Sequence, residues 1–367
     1  MTPQRPDRHG ADQGNRPLLH AGDAGAVVTA FAPGRVNLLG DHVDYLGGPV
    51  LPMAIDLGTT VRLEPGGDVV RLTSAAEAGE AAVPVGVTDP AGAEPVWARY
   101  VAGVVAELGA LLGGVGGGRG TVATTLPVGA GLSSSAALEL AVALALGFGG
   151  DARQLALLGQ RAEQRASGVP CGVMDQLASA AGVAGCALLI DCATLDVTPI
   201  PLPEGIAVLV VHSGQARTLA GSAYAERRAA CEAAAALLGP LPQARPADVE
   251  RLDDPTLRRR ARHVVAECER VRAVAASGFD RAVLSEALAA SHASLRDDFE
   301  VSTPALDALV AHLSAQPGVL GARLTGAGFG GCAVALVEAD AVHQIDVGDR
   351  RSWLVAASGG ARLIAAP

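Results

Sequence analysis

In TTLPVGAGLSSSAALELAVALAL, residues 124–146, β-branched residues run into a Pro-Gly loop, three serines follow, and an apolar run rich in Ala and Leu begins at once. The order is strand, glycine loop, helix. A helix start carries unpaired N–H groups and the positive end of the macrodipole, so a loop of Gly129, Gly131, Ser133, Ser134 and Ser135 lets an anion approach the backbone closely. A nucleotide phosphate is the obvious anion. The same residues also suit a serine that caps a helix and binds nothing, and taken alone they leave the two readings level.

The chain contains no lysine. A P-loop needs its lysine on the β- and γ-phosphates and a protein kinase needs its strand lysine, so both are excluded. Any nucleotide site must use backbone amides, hydroxyls, a metal and arginine.

With 367 residues there is room for two domains of ordinary size, and the chain should fold, because half of it is hydrophobic. Aromatics make up only 3%, so the core has to be assembled from many small Ala, Val and Leu contacts. A net charge of −10 argues against a nucleic-acid partner or an anionic membrane surface. Arg258, Arg259, Arg260 and Arg262 form the one dense basic run, read as a solvated helix face because Asp253, Asp254 and Glu267 lie near it. Six scattered cysteines without a Cys-x-x-Cys pair fit a reducing compartment. Residues 1–26 are polar, lack an apolar signal-peptide core and are expected to form a disordered tail. The apolar run 136–148 contains Glu139 and is too short to span a bilayer, so the expected location is the cytoplasm.

Outward from the serine loop, residues 27–65 alternate short β-rich runs with glycines and prolines. Arg35, Asn37, Asp41, His42, Asp44 and Tyr45 crowd one glycine-studded loop there. A metal site at Asp41, His42 and Asp44 is discounted, since adjacent residues do not both turn inward on a strand; hydrogen bonding to a polyhydroxy ligand is favoured over a merely solvated loop. Residues 65–93 suggest turns between edge strands, and Trp97 opens a helix, where core packing competes with stacking on a flat base. Asp151 caps a helix through Gln164 that carries Glu163. In ASGVPCGVMDQLASAAG the glycines and proline force a loop, and Asp175 falls in the first turn of a short helix, either as an ordinary dipole-stabilised acid or as a carboxylate aimed at a cleft. Further strands are expected at 186–200 and 206–213, and helices at 221–238, 255–277, 280–296 and 303–315. Gly326, Gly328 and Gly331 match G-x-G-x-x-G, yet a β-rich run follows them instead of a helix, so the reading is strand, glycine turn, strand and not a dinucleotide fold.

Three segments together resemble one family. APGRVNLLGDHVDYLGGPVLPMAID is similar to the galactokinase signature, LPVGAGLSSSAALELA to the phosphate-binding motif of the GHMP kinase superfamily, and LTGAGFGGCAVALV to its C-terminal glycine motif. PCGVMDQ, SAYAERRAACEAA and SHASLRDDFEVSTPALD also look like galactokinase blocks, so the resemblance covers residues 27 to about 337. It implies an α+β GHMP kinase fold: an N-terminal ribosomal-protein-S5-like domain at 27–198, a C-terminal ferredoxin-like domain at 199–367, and an active site in the cleft between them. It further implies ATP and Mg2+ as cofactors and phosphorylation of the C1 hydroxyl of galactose.

Carried over by position, Asp175 faces that hydroxyl with Arg35 beside it. Ser135 with its neighbour Ser134, and Glu163, match the Mg2+ side; Gly129, Gly131, Leu132, Ser133, Ser134 and Ser135 match nucleotide-binding positions; Trp97 matches an aromatic near the adenine. Asp41, His42, Asp44, Gly172 and Tyr224 match sugar-binding positions. The sequence departs from the family at Asp41, Val43 and Leu46, where Glu, Thr and Asn are usual. Those departures keep another sugar, such as N-acetylgalactosamine or L-arabinose, in view. A non-catalytic sensor of sugar and ATP is the rival from another class. Partners are a small sugar and ATP; the oligomeric state is left open, a monomer being admissible.

Overall fold

A computed structural model describes residues 26–127, 129–216 and 220–365, the side chains of 220–222 excepted. The expected N-terminal tail, bar residue 26, lies outside them.

The chain begins with strands β1 (Val28–Leu39), β2 (Pro49–Pro65), β3 (Val69–Ser74) and β4 (Glu80–Pro84). Helix α1 (Ala98–Leu112), strand β5 (Gly118–Thr124), and helices α2 (Ser134–Ala145), α3 (Ala152–Ser167) and α4 (Met174–Ala181) follow. Strands β6 (Cys186–Asp191), β7 (Asp196–Pro201) and β8 (Ile206–His212) lead to helices α5 (Ala220–Leu238), α6 (Pro246–Val249), α7 (Pro255–Ser277), α8 (Arg281–Asp297) and α9 (Pro304–Ser314). Strands β9 (Val319–Thr325), β10 (Cys332–Glu338), β11 (Ser352–Val355) and β12 (Arg362–Ile364) complete the chain.

An eight-stranded sheet runs β12-β1-β2-β5-β3-β4, with β6 and β7 branching from β2; a four-stranded sheet runs β11-β8-β10-β9. Among the described residues only the β3–β5 pairing is parallel. The stretch 65–93 forms the β3–β4 hairpin, with β4 at the sheet edge as expected but β3 interior, paired to β4 and β5, and the glycine turn 326–331 does join two antiparallel strands. The 198/199 division falls inside β7, and β12 returns from the second half to pair with β1.

Scarcity of aromatics is offset by close approach. Gly103 of α1 lies against α3, where a Cβ would meet the Ala162 carbonyl oxygen at 2.4 Å. In the second sheet, period-2 alternation divides two cores: Val208, Val210, Val334 and Leu336 face the main core, while Leu209, Val211, Ala333 and Ala335 pack with Leu309 and Leu313 of α9.

Two features of β1 place the site. Its register against β2 shifts between Pro33 and Arg35, a bulge that leaves Gly34 without a partner in the ladder, and Gly34 lets the serine loop come close, since a Cβ there would lie 2.5 Å from the Leu132 carbonyl oxygen. The Arg35 N–H donates to that carbonyl at 3.2 Å.

The solvated-face expectation for the basic run fails at Arg260. Only 3% exposed, it donates to the Asp298 carbonyl and pairs with Glu300, both at the α8–α9 junction, and Arg262 pairs with Glu250 and Asp298. A helix packed on two sides buries residues that local charge density alone assigns to solvent.

Candidate active site

Two cavities meet at one seam. The first, about 230 Å3, is lined by Asp41, His42, Asp44, Gly172 and Tyr224 among others; the second, about 420 Å3, by Trp97, Gly129, Gly131, Ser133, Ser134 and Ser135 among others. Arg35, Glu163 and Asp175 line both. Sequence-predicted residues from loop 37–45, the serine loop, α3, α4 and α5 therefore share one cleft. Leu132 differs: its side chain is buried in the core, and its contribution is the carbonyl that receives Arg35.

At the seam Arg35 donates from Nε to Asp175 Oδ1 and from Nη2 to Oδ2, each at 2.8 Å, and from Nη1 to the Gly131 carbonyl at 2.6 Å. Ser133 Oγ donates to Asp175 Oδ2 at 2.5 Å. Ser133 sits at φ +57 and its side chain makes no capping bond. Between the two sequence readings of this loop, serine capping is the one removed: the hydroxyl is spent on Asp175, and the start of α2 is left open toward the second cavity. A non-glycine residue in the left-handed region costs of order 1 kcal/mol or more, and here that strain coincides with the seam.

In the first cavity His42, at φ +66, turns inward beside Asp41, a geometry the alternation rule for strands does not anticipate because residues 41–43 form a turn. Burial, with His263 adding to it, lowers the His42 imidazole to about 3, so the ring is neutral. Its Nε2 donates to the Ala327 carbonyl at 3.2 Å, which leaves Nδ1 a buried acceptor with no partner. Asp44 is pushed up to about 6 by burial and the nearby Asp175. Gly172 makes room for it, since a Cβ there would lie 1.7 Å from Asp44 Oδ2. Tyr224 stacks near His42 with ring centres 5.6 Å apart.

Asp41 is not a free ligand. Its Oδ2 is held by Arg323 and its Oδ1 takes the Gly326 N–H at 3.0 Å, while Arg323, itself fully buried, also donates to the Leu38 carbonyl at 2.8 Å. Glu267 of α7 accepts the Gly40 N–H at 2.8 Å, and His263 contacts the Asp41 carbonyl at 3.1 Å. The 37–45 loop is thus fastened by groups of the second half: Arg323 and His263, which sequence reading did not single out, and Glu267, expected near a solvated face but fully buried. An arginine within the apolar strand GARLTG was the available signal, because a charge on a buried strand needs a partner.

In the second cavity the Trp97 Nε1 donates to the Ala78 carbonyl at 3.2 Å, so only part of the ring faces the open space. Thr59, Ser74, Glu77, Tyr100 and Thr124 also line it, none of them foreseen. Glu163 is pushed up to about 7 by burial and the charge of Asp175. Its Oε1 accepts from Ser135 Oγ at 3.0 Å. One carboxylate and one hydroxyl beside an open helix start suit Mg2+, which typically takes one or two protein carboxylates and fills its shell with phosphate oxygens and water. Among the described residues no cluster of three or more His, Cys, Asp or Glu is placed to cage a metal.

Three family models match the chain: the galactokinase galactose-binding signature over residues 20–65, the GHMP kinase N-terminal domain over 99–183 and the GHMP kinase C-terminal domain over 273–345. A galactokinase of Roseiflexus sp. (strain RS-1) is 44% identical over 336 residues, spanning 86% of this chain and 85% of that protein. The crystal structure of Lactococcus lactis galactokinase complexed with galactose superposes with a TM-score of 0.85 at 32% identity, over 93% of this chain and 96% of that one. The Methanococcus jannaschii mevalonate kinase, 18% identical with a TM-score of 0.68 over 92% and 99% of the two chains, shares the fold. A bidentate Arg–Asp pair at the seam of two cavities, an uncapped serine loop and these matches agree: the chain belongs to the galactokinase family of the GHMP kinases.

Proposed function

We propose that the chain transfers the γ-phosphoryl group of ATP to the C1 hydroxyl of galactose, giving galactose 1-phosphate and ADP. The observation that carries this reading is the shared position of Arg35 and Asp175: both line the sugar-side and the nucleotide-side cavity. Two substrates filling those spaces would meet at that pair.

A carboxylate offers about four lone-pair positions, and Arg35 Nε, Arg35 Nη2 and Ser133 Oγ occupy three of them on Asp175. The position left over suits one hydroxyl donor from the sugar. Asp175 is 30% exposed at its side chain against 5% for Arg35, so it is the carboxylate that opens onto the cavity. In the step itself the C1 oxygen bonds to the γ-phosphorus, the bond from that phosphorus to the β-bridging oxygen breaks, and the hydroxyl proton passes to Asp175 or to water as ADP leaves. The transition state is loose, so positioning and charge account for most of the rate. Asp175 orients the acceptor hydroxyl, and the Arg35 guanidinium lies beside the moving phosphoryl group. The open N–H groups at the start of α2 receive the phosphate tail, without lysine.

Ser135 and Glu163 would hold Mg2+, which when bound neutralises charge on the β- and γ-phosphates. His42 Nδ1 and Asp44 would accept hydrogen bonds from sugar hydroxyls. Asp41, engaged by Arg323 and Gly326, would shape that wall more than it touches the ligand. Trp97 would border the adenine. The absence of any disulfide among the described residues supports a cytoplasmic setting.

The test is an assay with ATP, Mg2+ and a panel of hexoses and pentoses, reading ADP release and the position of the new phosphate. ADP release with galactose and phosphate on C1 is expected. Release with N-acetylgalactosamine or L-arabinose but not with galactose would reassign the sugar, and sugar-dependent ATP binding without ADP from any sugar would make the chain a sensor.

A further inference from the structure

Behind the seam, three helices bring Glu163 together with two polar side chains that the transfer step does not use. Glu139 lies on α2 one turn beyond Ser135, Glu163 on α3, and Gln176 on α4 next to Asp175. Glu139 and Gln176 are both fully buried. The Gln176 amide nitrogen donates to Glu163 Oε2 at 2.5 Å and to Glu139 Oε2 at 3.2 Å. Ser135 holds the other Glu163 oxygen at 3.0 Å, so the two oxygens of one carboxylate are fixed from two different helices. Gly159 of α3 leaves the necessary room: a Cβ there would lie 3.1 Å from Gln176 Cγ and 2.8 Å from Leu140 Cδ2.

This arrangement is not favourable for stability alone. Two carboxylates share one amide nitrogen, and both Glu139 Oε1 and Gln176 Oε1 are buried without a partner. Each such orphan costs about 1–3 kcal/mol, and well-packed apolar side chains commonly replace buried polar groups without loss. A cost of that kind persists where it fixes something the site needs.

We propose that Gln176, anchored by Glu139, is the positioning residue that holds Glu163 in the orientation from which it meets the metal–nucleotide complex. The inference rests on the assignment of Glu163 and Ser135 to the metal side. Without the amide, Glu163 keeps its place on α3 but its Oε2 loses its tether, and the carboxylate meets the incoming cation in one orientation among several. Loss of a supporting partner to a ligating group typically costs about 10–100-fold in metal affinity.

The test uses the full chain with Mn2+ as the probe, free Mn2+ being read by electron paramagnetic resonance in the presence of a saturating non-hydrolysable ATP analogue. The double variant Glu139→Leu/Gln176→Leu removes the whole tether and packs the space with apolar groups. It is expected to weaken Mn2+ binding in the ternary complex by about 10–100-fold, while binding of the analogue in EDTA stays as in the wild type. A residue with only a packing role would not separate those readouts. The single variant Gln176→Met, of nearly the same length, is expected to behave alike and serves if the double variant does not fold. Wild-type Mn2+ affinity in either folded variant overturns the proposal. Glu163→Gln separates the two assignments: if it weakens Mn2+ binding and the tether variants do not, only the role of Gln176 falls; if it leaves Mn2+ binding intact, the metal-side assignment falls with it.

Discussion

Gly172→Ala isolates the sugar-side carboxylate from everything else in the cleft. The backbone at Gly172 is outside the left-handed region, so alanine is conformationally acceptable there and its effect is purely steric. The added Cβ would stand 1.7 Å from Asp44 Oδ2 and 2.3 Å from Cγ, so the carboxylate has to withdraw by about 1.7 Å to reach ordinary contact. Asp44 is half-buried, and the Tyr45 and Met174 backbone N–H groups face its carboxylate. Withdrawal on that scale breaks the hydrogen bond from Met174, on the strand of chain that carries Gly172, and the one offered to the sugar. Hydrogen bonds to a charged group contribute about 1.5–3 kcal/mol each, so the combined loss is at least about 3 kcal/mol, or about 100-fold and more in kcat/KM for galactose. Steady-state kinetics with galactose varied, calorimetric galactose binding and the KM for ATP form the assay, and only the ATP constant should be preserved. Gly129→Ala is the contrast: at φ +74 with open space around it, it should cost about 1 kcal/mol through backbone strain and act on ATP, not on sugar. Galactose binding at wild-type strength in Gly172→Ala would refute the assignment of Asp44 as a sugar ligand.

Asp175→Asn keeps the shape but removes the negative charge that orients the acceptor, and kcat should fall by about 10²–10⁴-fold with ATP binding retained; near-normal turnover would end its catalytic role. Arg323→Met leaves the Asp41 carboxylate buried without its counter-charge, a loss of about 3–5 kcal/mol in denaturant melts at neutral pH, and adding Asp41→Asn should recover much of it; equal destabilisation of the single and double variants would show the pair is not coupled. The Asp44 carboxyl, raised to about 6, makes a pH prediction. A folded-state value above the ordinary one means that this group's contribution to stability is complete below about pH 4 and is lost as pH rises through about 6, a span worth about 3 kcal/mol at most. Galactose binding runs the other way and weakens as pH falls below 6, since the protonated group is a poorer acceptor. Melts of the wild type and Asp44→Asn at pH 4.5 and 7, with galactose titrations, check both signs, and identical pH profiles for the two proteins would contradict them.

The order of elements around the seam was legible because it is local, whereas the meeting of Arg35 with Asp175, 140 positions apart, was expected only from the family resemblance. A β-branched run, glycines and serines before an apolar stretch specify strand, loop and helix over a few residues, and Asp175 follows Gly172 by only three positions. Glycines between two β-rich runs likewise marked the turn at 326–331 against a dinucleotide fold. What was not legible is whatever depends on distant chain meeting in space. Arg323 and Glu267 reach back to residues 38–41 across more than 220 positions, and no spacing rule announces such a partner.

Burial was the deeper obstacle. Read by density, the arginines at 258–262 look solvated; packed between α7 and the α8–α9 junction, Arg260 is not. Glu139 entered the reading only as the acid that interrupts an apolar run, although an acid on the inner stripe of an otherwise apolar helix is the mark of a buried carboxylate needing a donor. Gln176 hides in the same way, one residue after the aspartate that draws notice. Three departures from simple patterning, at Glu139, Gln176 and Arg323, each put a polar group where an apolar one would pack more easily. Gln176 touches Glu163, Arg323 touches the loop that carries Asp41, and Glu139 anchors Gln176. The places where hydrophobic patterning fails thus trace the supports of the cleft, because a site that works by holding charges in fixed directions must bury the groups that hold them.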